Sequence, residues 1–466
     1  MATRTVNVRE IFDTTRFTSY QMMVCTLSFL VTFLDGFDLT MIGVTLPKMA
    51  ESLNVKPGAL GLALSAGQFG PILGAIVLGM LADRFGRRWM LVISAMFFGV
   101  FTFMIAFIRS PEELALYRFL AGIGLGGAVP NALAFGSEFA PSNKRATLIT
   151  TMYAGMPAGS VVAAVAAIWL IPNYGWQSLY LLGGAAPVLI AIVLAGALPE
   201  SLEFMVKQGR AKDKPRILRV VSRIAPSIAA DKQVKFVSTE AVYKGVPVKH
   251  LFMDRRGVVT VLLWVAMIGS LYSMWVLTTW APALMKKSGA SVQQYSLAVA
   301  GLHFGAFLAT IFIGRVMDKV NPFWALAVGF TLSCLSLAAF GQMAGSTFAI
   351  VFFMAVLSGV FTNGSNNGFV AVPGMFYPLS IRGTGIGWAY AVGKVGAMLA
   401  PAVGGILLGM NWSIAKICGV QAFIPLLVAC LVLVLKGRVA TVEKAAATKE
   451  VFERASGTTG LPRAAA

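Results

Sequence analysis

The sequence predicts an all-α integral membrane protein with twelve transmembrane helices in two pseudo-symmetric six-helix halves. Of its 466 residues, 57% are hydrophobic and 12% are charged, whereas a soluble domain carries about 25% charged residues. That composition excludes a soluble enzyme, a disordered chain and a secreted disulfide scaffold. The apolar residues form continuous runs of roughly the 20 residues that a helix needs to cross a bilayer. The runs lack the alternating polarity that is typical of a membrane β-barrel.

Twelve apolar runs follow one another along the chain, and one long polar segment separates the first six from the last six. The runs cover residues 21–47, 58–82, 89–108, 113–136, 147–171, 177–198, 258–284, 293–317, 322–343, 347–376, 384–408 and 412–435. We therefore expect an N-terminal segment over 1–20, an N-terminal half over 21–198, a basic linker over 199–256, a C-terminal half over 257–435 and a tail over 436–466.

The distribution of lysine and arginine predicts the orientation of the chain. With both termini on one side, the segments on that side hold 30 of the 38 basic residues, and the loops on the other side hold six. The linker alone holds 13 basic and six acidic residues. Basic residues accumulate in cytoplasmic loops, so we expect both termini and the linker in the cytoplasm. The net charge of +19 then reflects this orientation, and no nucleic acid is expected as a partner.

Two loop motifs recur between the halves and indicate a duplicated six-helix unit. Asp83, after the second span, corresponds to Asp318 after the eighth span at an offset of 235 residues. Arg145, after the fourth span, corresponds to Arg382 after the tenth span at an offset of 237 residues. Two such units that flank a central cavity can rock against each other. The alternative is that these are ordinary turn residues that follow helices.

Two carboxylates lie about halfway along the first span, in the run Asp35-Gly36-Phe37-Asp38. A spacing of three residues places both on one face of a helix. Ionisable side chains at this depth cost roughly 2.5–3.5 kcal/mol each on insertion scales, and they usually mark pathways or proton relays. Neighbouring carboxylates share protons readily, so Asp35 and Asp38 are candidates for proton coupling. The alternative is that they cap a helix broken at Gly36.

Two basic residues also lie inside predicted spans. Lys394 is ten residues into the eleventh span, which corresponds to about 15 Å along a helix. An anion that crosses a cavity of low dielectric needs a cation at that depth, so Lys394 is the best candidate ligand for it. The alternative is a structural ion pair with an acid on a neighbouring span. Arg118, nearer the outer end of the fourth span, is a candidate ligand or the ion-pair partner of Asp35 or Asp38.

Uncharged polar and aromatic side chains supply candidate walls for a binding site. His303, between Gly301 and Gly305, suits proton handling or a hydrogen bond to a carboxylate, or packs as a structural histidine. The other candidates are Tyr272 and Trp275 in the seventh span, Asn363 and Asn367 in the tenth, and Trp388 and Tyr390 in the eleventh. Buried amides need partners that a polar ring could supply. Helix–helix hydrogen bonds and an interfacial aromatic belt are the alternatives.

Motif residues make the chain resemble the major facilitator superfamily over all twelve spans. The loop after the second span reads Gly79-Met-Leu-Ala-Asp83-Arg84-Phe-Gly86-Arg87-Arg88 and is similar to the signature loop of that superfamily. Arg118-x-x-x-Gly122-x-Gly124 and Pro199-Glu200-Ser201 are similar to two further motifs. The resemblance implies a charge network at the inner face that holds one conformational state closed. Its candidate members are Asp83, Arg84, Arg87, Arg88, Glu138, Arg145, Asp318 and Arg382.

Further motifs resemble the aromatic acid:proton symporter family of that superfamily. They are Asp35-Gly-x-Asp38, Gly124-Leu-Gly-Gly-Ala-Val-Pro130-Asn131, Glu138-x-x-Pro141-x-x-x-Arg145 and Tyr377-Pro378-x-x-x-Arg382-Gly-Thr-Gly-x-Gly-Trp388. The resemblance implies a permease of the bacterial inner membrane that imports a benzoate-like, hydroxybenzoate-like or chlorophenoxyacetate-like anion with a proton. It differs at Lys394, where the family usually has arginine. Lysine keeps the charge but lacks the planar fork of a guanidinium.

Three other functions remain open at this point. A lactate or sialate permease would share the carboxylates of the first span but needs fewer aromatic walls. An exporter would use the same fold with reversed coupling. A membrane enzyme would need a nucleophile, a metal cluster or an acid–base set near one face of the membrane. We expect a monomer without metal or cofactor, whose partners are the aromatic carboxylate, the proton and the lipid bilayer.

Overall fold

The structure is a computed structural model, and it consists of two six-helix halves joined by a linker. It describes residues 4–455 apart from residues 16, 142–143, 211–212, 230–233, 238–247, 254–255, 344, 378–380 and 411. Twelve helices in this part of the chain are long and apolar enough to cross a membrane. Each lies within a few residues of a predicted span, so the predicted all-α fold of twelve spans in two halves is confirmed.

The N-terminal half contains the first six spans. Its helices are α1 (Val8–Thr14), α2 (Ser19–Ser52), α3 (Leu60–Phe85), α4 (Arg87–Met104), α5 (Pro111–Glu138), α6 (Arg145–Tyr153), α7 (Gly155–Tyr174) and α8 (Gln177–Ala197). The fifth span consists of α6 and α7, which meet at Ala154. The start of α2 is fixed by a capping box, in which Thr18 and Gln21 satisfy each other's backbone N–H groups.

The linker and the C-terminal half follow. The linker contains α9 (Leu202–Gln208), α10 (Lys214–Ile224), α11 (Pro226–Ala229) and a strand, β2 (Val234–Val237). The last six spans comprise α12 (Gly257–Lys287), α13 (Val292–Lys319), α14 (Pro322–Gln342), α15 (Phe348–Ser358), α16 (Gly364–Phe376), α17 (Arg382–Gly409) and α18 (Ile414–Ala455). A π-helical turn, Gly359–Asn363, joins α15 to α16 within the tenth span.

The ends of the spans define two faces of the bundle. The basic face carries the start of α2, the α3–α4 turn, the end of α5 and the linker, and the other face is called the opposite face. Gly86 makes the α3–α4 turn with a φ of +106°, which is the left-handed region that favours glycine. A Cβ at this position would lie 2.5 Å from Oε2 of Glu200. The turn therefore depends on glycine both for its backbone and for space.

The halves contact each other mainly toward the opposite face. One hydrophobic cluster there contains residues of both halves, whereas separate clusters fill the basic-face ends of the N-terminal half and the C-terminal half. The α3 and α17 backbones approach so closely that a Cβ on Gly61 would lie 2.7 Å from the carbonyl oxygen of Pro401. Lys286 forms an ion pair with Glu51 across the same junction. The bundle is therefore closed at the opposite face.

The segments outside the spans have more structure than the sequence predicted. The N-terminal segment contains β1 (Arg4–Asn7), which pairs in parallel with β2 of the linker. Hydrophobic side chains of α1 and α10 are buried against the basic-face end of the N-terminal half. The final helix α18 continues to Ala455, well past the expected start of the tail at 436. Its extension is rich in Ala, Glu and Lys, which favour helices.

Candidate functional site

A cavity of about 320 Å³ lies between the halves, near the middle of the spans. Its volume falls at the lower end of the range for small-molecule sites. Side chains from α2, α3, α5, α7, α12, α13, α16 and α17 line it, and most of the lining is apolar. Its polar and charged lining residues are Asp35, Asp38, Gln68, Arg118, Tyr153, Ser160, His303, Thr310, Asn363, Asn366, Asn367, Tyr390 and Lys394. The cavity therefore collects most of the candidate site residues.

Asp38 and Arg118 form a buried ion pair on the N-terminal side of the cavity. The guanidinium Nη1 of Arg118 donates to Oδ1 of Asp38 at 2.8 Å and to Oδ2 at 2.9 Å. Both residues are at most 5% exposed. A charge buried this deeply is tolerated only with a partner. Of the two acids that the sequence offered as the partner of Arg118, the structure selects Asp38, and it leaves Arg118 engaged within the protein.

Asp35 and Lys394 behave differently from that pair. Both are half-buried and line the cavity, and neither has a hydrogen bond or ion pair to any of the described residues. Asp35 is close enough to Lys394 to feel its charge. The ammonium of Lys394 lies 5.2 Å from the centre of the Tyr390 ring, within the range of a cation–π interaction. The side chains of Asp35 and Lys394 can therefore both bind a ligand or a proton.

His303 joins the two halves beside this cavity. Its Nε2 lies 3.0 Å from Oγ1 of Thr40, and the histidine is 2% exposed. Thr40 is on α2, two residues beyond Asp38, whereas His303 is on α13 of the other half. The observed partner is thus a hydroxyl group and not a carboxylate. The contact ties the helix that carries the two acids to the C-terminal half.

Amide side chains from the tenth span form the C-terminal side of the cavity. Asn363 is the last residue of the π-helical turn, and α16 follows it directly. The amide nitrogen of Asn367 donates to Oγ1 of Thr310 at 2.7 Å. Asn366 accepts from Oγ of Ser270 at 2.9 Å. Together these amides make a polar, uncharged wall, which we call the amide wall (Asn363, Asn366 and Asn367).

Two of the predicted wall residues do not line the cavity, and those predictions are corrected here. The hydroxyl of Tyr272 donates to Oε1 of Gln421 at 2.5 Å, because Tyr272 lies on the side of α12 that faces α18. Trp388 is 44% exposed and stacks on Trp264 at 6.1 Å. Six residues before Lys394, it points about 240° around the helix from that lysine.

The other predicted wall residues do line the cavity, and three lining residues were missed by the sequence analysis. Trp275 and Tyr390 line it as expected. The missed residues are Gln68, Tyr153 and Asn366. Tyr153 ends α6 at the bend of the fifth span. A polar aromatic residue at the end of a bent apolar segment was the signal that could have identified it.

The predicted inner-face network is described in part, and its described contacts stay within the N-terminal half. Arg87 forms an ion pair with Glu138. Glu138 also accepts from Oγ of Ser201 at 2.5 Å. Arg84 is exposed beside the ring of Phe85. The side chains of four other predicted members, Asp83, Arg145, Asp318 and Arg382, lie outside the described residues.

Glu200 anchors the second part of this network. Its Oε1 accepts from the backbone N–H of Arg88 at 3.1 Å and from that of Ser201 at 3.0 Å. The side chain of Arg88 donates to the carbonyl oxygen of Ala195. Burial raises the pKa of the Glu200 carboxyl, and the two backbone donors oppose that shift. The α3–α4 turn is thereby fastened to the end of α8.

Comparison with known proteins identifies the family. The family description "Major Facilitator Superfamily" matches residues 28–283 and 263–461. The chain is 34% identical over 424 residues to the 4-hydroxybenzoate transporter PcaK of Acinetobacter baylyi, which covers 90% of this chain and 92% of that protein. It is 29% identical to a gallate transporter of Pseudomonas putida, over 87% of this chain and 90% of that protein.

Solved structures give the same fold. The D-xylose-proton symporter superposes with a TM-score of 0.70 at 17% identity, covering 89% of this chain and 97% of that chain. A bacterial homologue of the human lysosomal transporter Spinster superposes with a TM-score of 0.65 at 16% identity, covering 91% and 97%. The chain therefore belongs to the major facilitator superfamily, in the group of aromatic acid transporters that its curated relatives represent.

Proposed function

We propose that the protein imports a small aromatic carboxylate together with a proton by alternating access. The observation that carries the proposal is the free ammonium of Lys394 in a largely apolar cavity at the middle of the membrane. A charged hydrogen bond to a carboxylate contributes about 1.5–3 kcal/mol. Trp275 and Tyr390 offer aromatic surface to a ring at the same cavity. Relatives that transport 4-hydroxybenzoate, gallate and benzoate support the same substrate class.

The proton is assigned to the acids of α2, and the two acids have different roles. Asp38 is held by Arg118, whereas Asp35 faces the cavity without a hydrogen bond to the described residues. When Asp35 binds a proton, it no longer offsets the charge of Lys394, which is then available to the substrate anion. Proton and anion thus favour each other's binding. This reciprocal effect is the requirement for symport.

The transport cycle follows from the two halves. The basic face is the cytoplasmic face by the distribution of lysine and arginine, and the protein resides in the bacterial inner membrane with both termini inside. Closure at the opposite face corresponds to an inward-facing state. Asp83, Arg84, Arg87, Arg88, Glu138, Arg145, Asp318 and Arg382 control closure of the basic face. One chain encloses the whole cavity, so a monomer suffices.

Uptake into proteoliposomes tests this proposal. Under an imposed inward proton gradient, vesicles should accumulate labelled benzoate or hydroxybenzoate, and a protonophore should abolish accumulation. Competition by an aromatic acid should exceed competition by its neutral amide. In Lys394→Gln that preference should shrink by about 10- to 100-fold, while Lys394→Arg should keep it because the charge is retained.

A surface lysine provides the control for the charge effect. Lys416 lies 4.0 Å from the Trp412 ring at the opposite face, outside the cavity, so Lys416→Gln should leave the preference unchanged. An undiminished preference in Lys394→Gln would remove Lys394 from the anion site and leave it as a structural partner of Asp35. Accumulation of lactate in place of every aromatic acid would overturn the proposed substrate class.

A further inference from the structure

The cavity has two walls of different chemistry. One carries the charged groups of Asp35 and Lys394 with the hydroxyls of Tyr153 and Tyr390. The other is the amide wall, whose residues carry no charge. A carboxylate alone would use only the first wall. The second wall is therefore informative about the rest of the substrate.

The amide wall has hydrogen-bonding groups that the described protein does not satisfy well. The side chain of Asn363, which is 4% exposed, has no hydrogen-bond partner among the described residues. The amide nitrogen of Asn366 contacts only the thioether sulfur of Met274, at 3.4 Å, which is a weak acceptor. Asn367 uses its amide nitrogen on Thr310, and its carbonyl oxygen has no donor among the described residues. The wall thus offers both donors and an acceptor.

The amide wall lies at the same depth as the cation. Asn363 and Asn367 are 13 and nine residues from the basic-face end of α16, and Lys394 is 12 residues from the basic-face end of α17. At 1.5 Å per residue these distances are about 20, 14 and 18 Å along the helices. A ring held between the two walls can therefore meet Lys394 at one edge and the amides at another.

The backbone of the tenth span supports this arrangement. The π-helical turn Gly359–Asn363 changes the direction of the side chains that follow it, and such turns occur frequently at functional sites. Gly359 packs directly on α13, where an added Cβ would collide with the carbonyl of Leu302. Gly364 packs on Ala309 of the same helix. The turn is thus held in place by α13, and the amides are fixed toward the cavity.

We infer that the amide wall binds a ring hydroxyl, so that the preferred substrate is a hydroxylated aromatic acid rather than an unsubstituted one. This inference rests on the proposed function, because it assumes that Lys394 binds the carboxylate. A hydroxyl both donates and accepts, which matches the unfilled oxygen of Asn367 and the donors of Asn363 and Asn366. A site built to hydrogen-bond a hydroxyl rejects an analogue that lacks it, because its own polar groups are left unpaired.

The test compares rates of uptake by the purified protein in proteoliposomes. The probes are benzoate, 3-hydroxybenzoate, 4-hydroxybenzoate and 4-methylbenzoate, the last being close to 4-hydroxybenzoate in size but unable to form the hydrogen bond. We expect kcat/KM for the better hydroxybenzoate to exceed that for benzoate and for 4-methylbenzoate by at least about tenfold. A ratio near one in the wild type would overturn the inference, whatever the variants do.

Variants then locate the preference. Asn363→Ala, Asn366→Ala and Asn367→Ala should reduce the hydroxybenzoate-to-benzoate ratio while benzoate uptake persists. Asn131→Ala is the matched control, because that buried amide donates to the carbonyl of Gly127 in its own helix and does not line the cavity. An unchanged ratio in all three variants would also overturn the inference. If no aromatic acid is accumulated at all, the proposed function fails instead.

Discussion

Asp35 and Asp38 are three residues apart on one helix, yet their surroundings differ sharply. Asp38 is bound by Arg118 through two hydrogen bonds and is buried, whereas Asp35 borders the cavity. The sequence predicted the depth of both acids and the presence of the two cations. It could not predict the pairing, because the pairing depends on how α2 and α5 cross. For the same reason it missed Tyr153 and Asn366, which enter the cavity through a bend and a π-helical turn.

The ion pair predicts a difference in stability between the two acid variants. In Asp38→Asn the guanidinium of Arg118 becomes a buried charge without its partner, and this should destabilise the protein by about 3–5 kcal/mol. Asp35→Asn breaks no hydrogen bond to the described residues and should unfold close to the wild-type temperature. Thermal unfolding in detergent measures both. Equal destabilisation of the two variants would show that the ion pair does not stabilise the bundle.

The unpaired acid predicts a difference in coupling. Asp35→Asn cannot bind and release the proton, so accumulation driven by a pH gradient should be lost. Exchange of labelled for unlabelled substrate at equal concentrations needs no net proton movement and should persist. Both are measured in the same proteoliposomes. Retention of pH-driven accumulation by Asp35→Asn would move the proton site to Asp38 or His303.

At the scale of elements, the spans were predictable and the connections between them were not. Long apolar runs define the spans because the bilayer imposes a minimum length on each helix. The parallel pairing of β1 with β2 joins residues more than 200 positions apart, and no local pattern encodes such a contact. The α3–α4 turn lies between these cases: its glycine was visible in the motif, but its contact with Glu200 required the fold.

Substitution of Gly86 tests that turn. Gly86→Ala must place a Cβ at a φ of +106° and 2.5 Å from Oε2 of Glu200. The backbone strain alone costs roughly 1–2 kcal/mol, so a lower unfolding temperature is expected. Gly79→Ala is the control on the same helix, because a Cβ there has no atom within 4 Å. It should be neutral or stabilise α3 by up to about 1 kcal/mol. Similar unfolding temperatures for both variants would contradict a special role for Gly86.

At the scale of the whole molecule, the repeated loop motifs predicted two halves but not which face is closed. The two states of a rocking transporter share one sequence, so composition and motifs are compatible with either. Packing distinguishes them. The hydrophobic cluster shared between the halves lies toward the opposite face, and the clusters at the basic face are separate. Closure at the opposite face therefore has to be broken and remade once in each transport cycle.

The ion pair between Glu51 and Lys286 offers a way to test that requirement. It crosses the junction of the halves at the opposite face. In a background without Cys25, Cys334, Cys418 and Cys430, Glu51→Cys with Lys286→Cys should be joined by a short reducible bifunctional thiol reagent. The link prevents separation of α2 from α12, so uptake should stop and should recover after reduction.

A second cysteine pair separates this effect from chemical damage. Lys48 and Glu51 form an ion pair within α2 itself, so Lys48→Cys with Glu51→Cys can be joined by the same reagent without linking the halves. Uptake by that variant should survive the reaction. Binding of the aromatic acid to the linked Glu51→Cys, Lys286→Cys protein in detergent should also survive, because the cavity stays open toward the basic face. Continued uptake after complete linkage would mean that α2 and α12 stay together throughout the cycle, and that the halves move apart elsewhere.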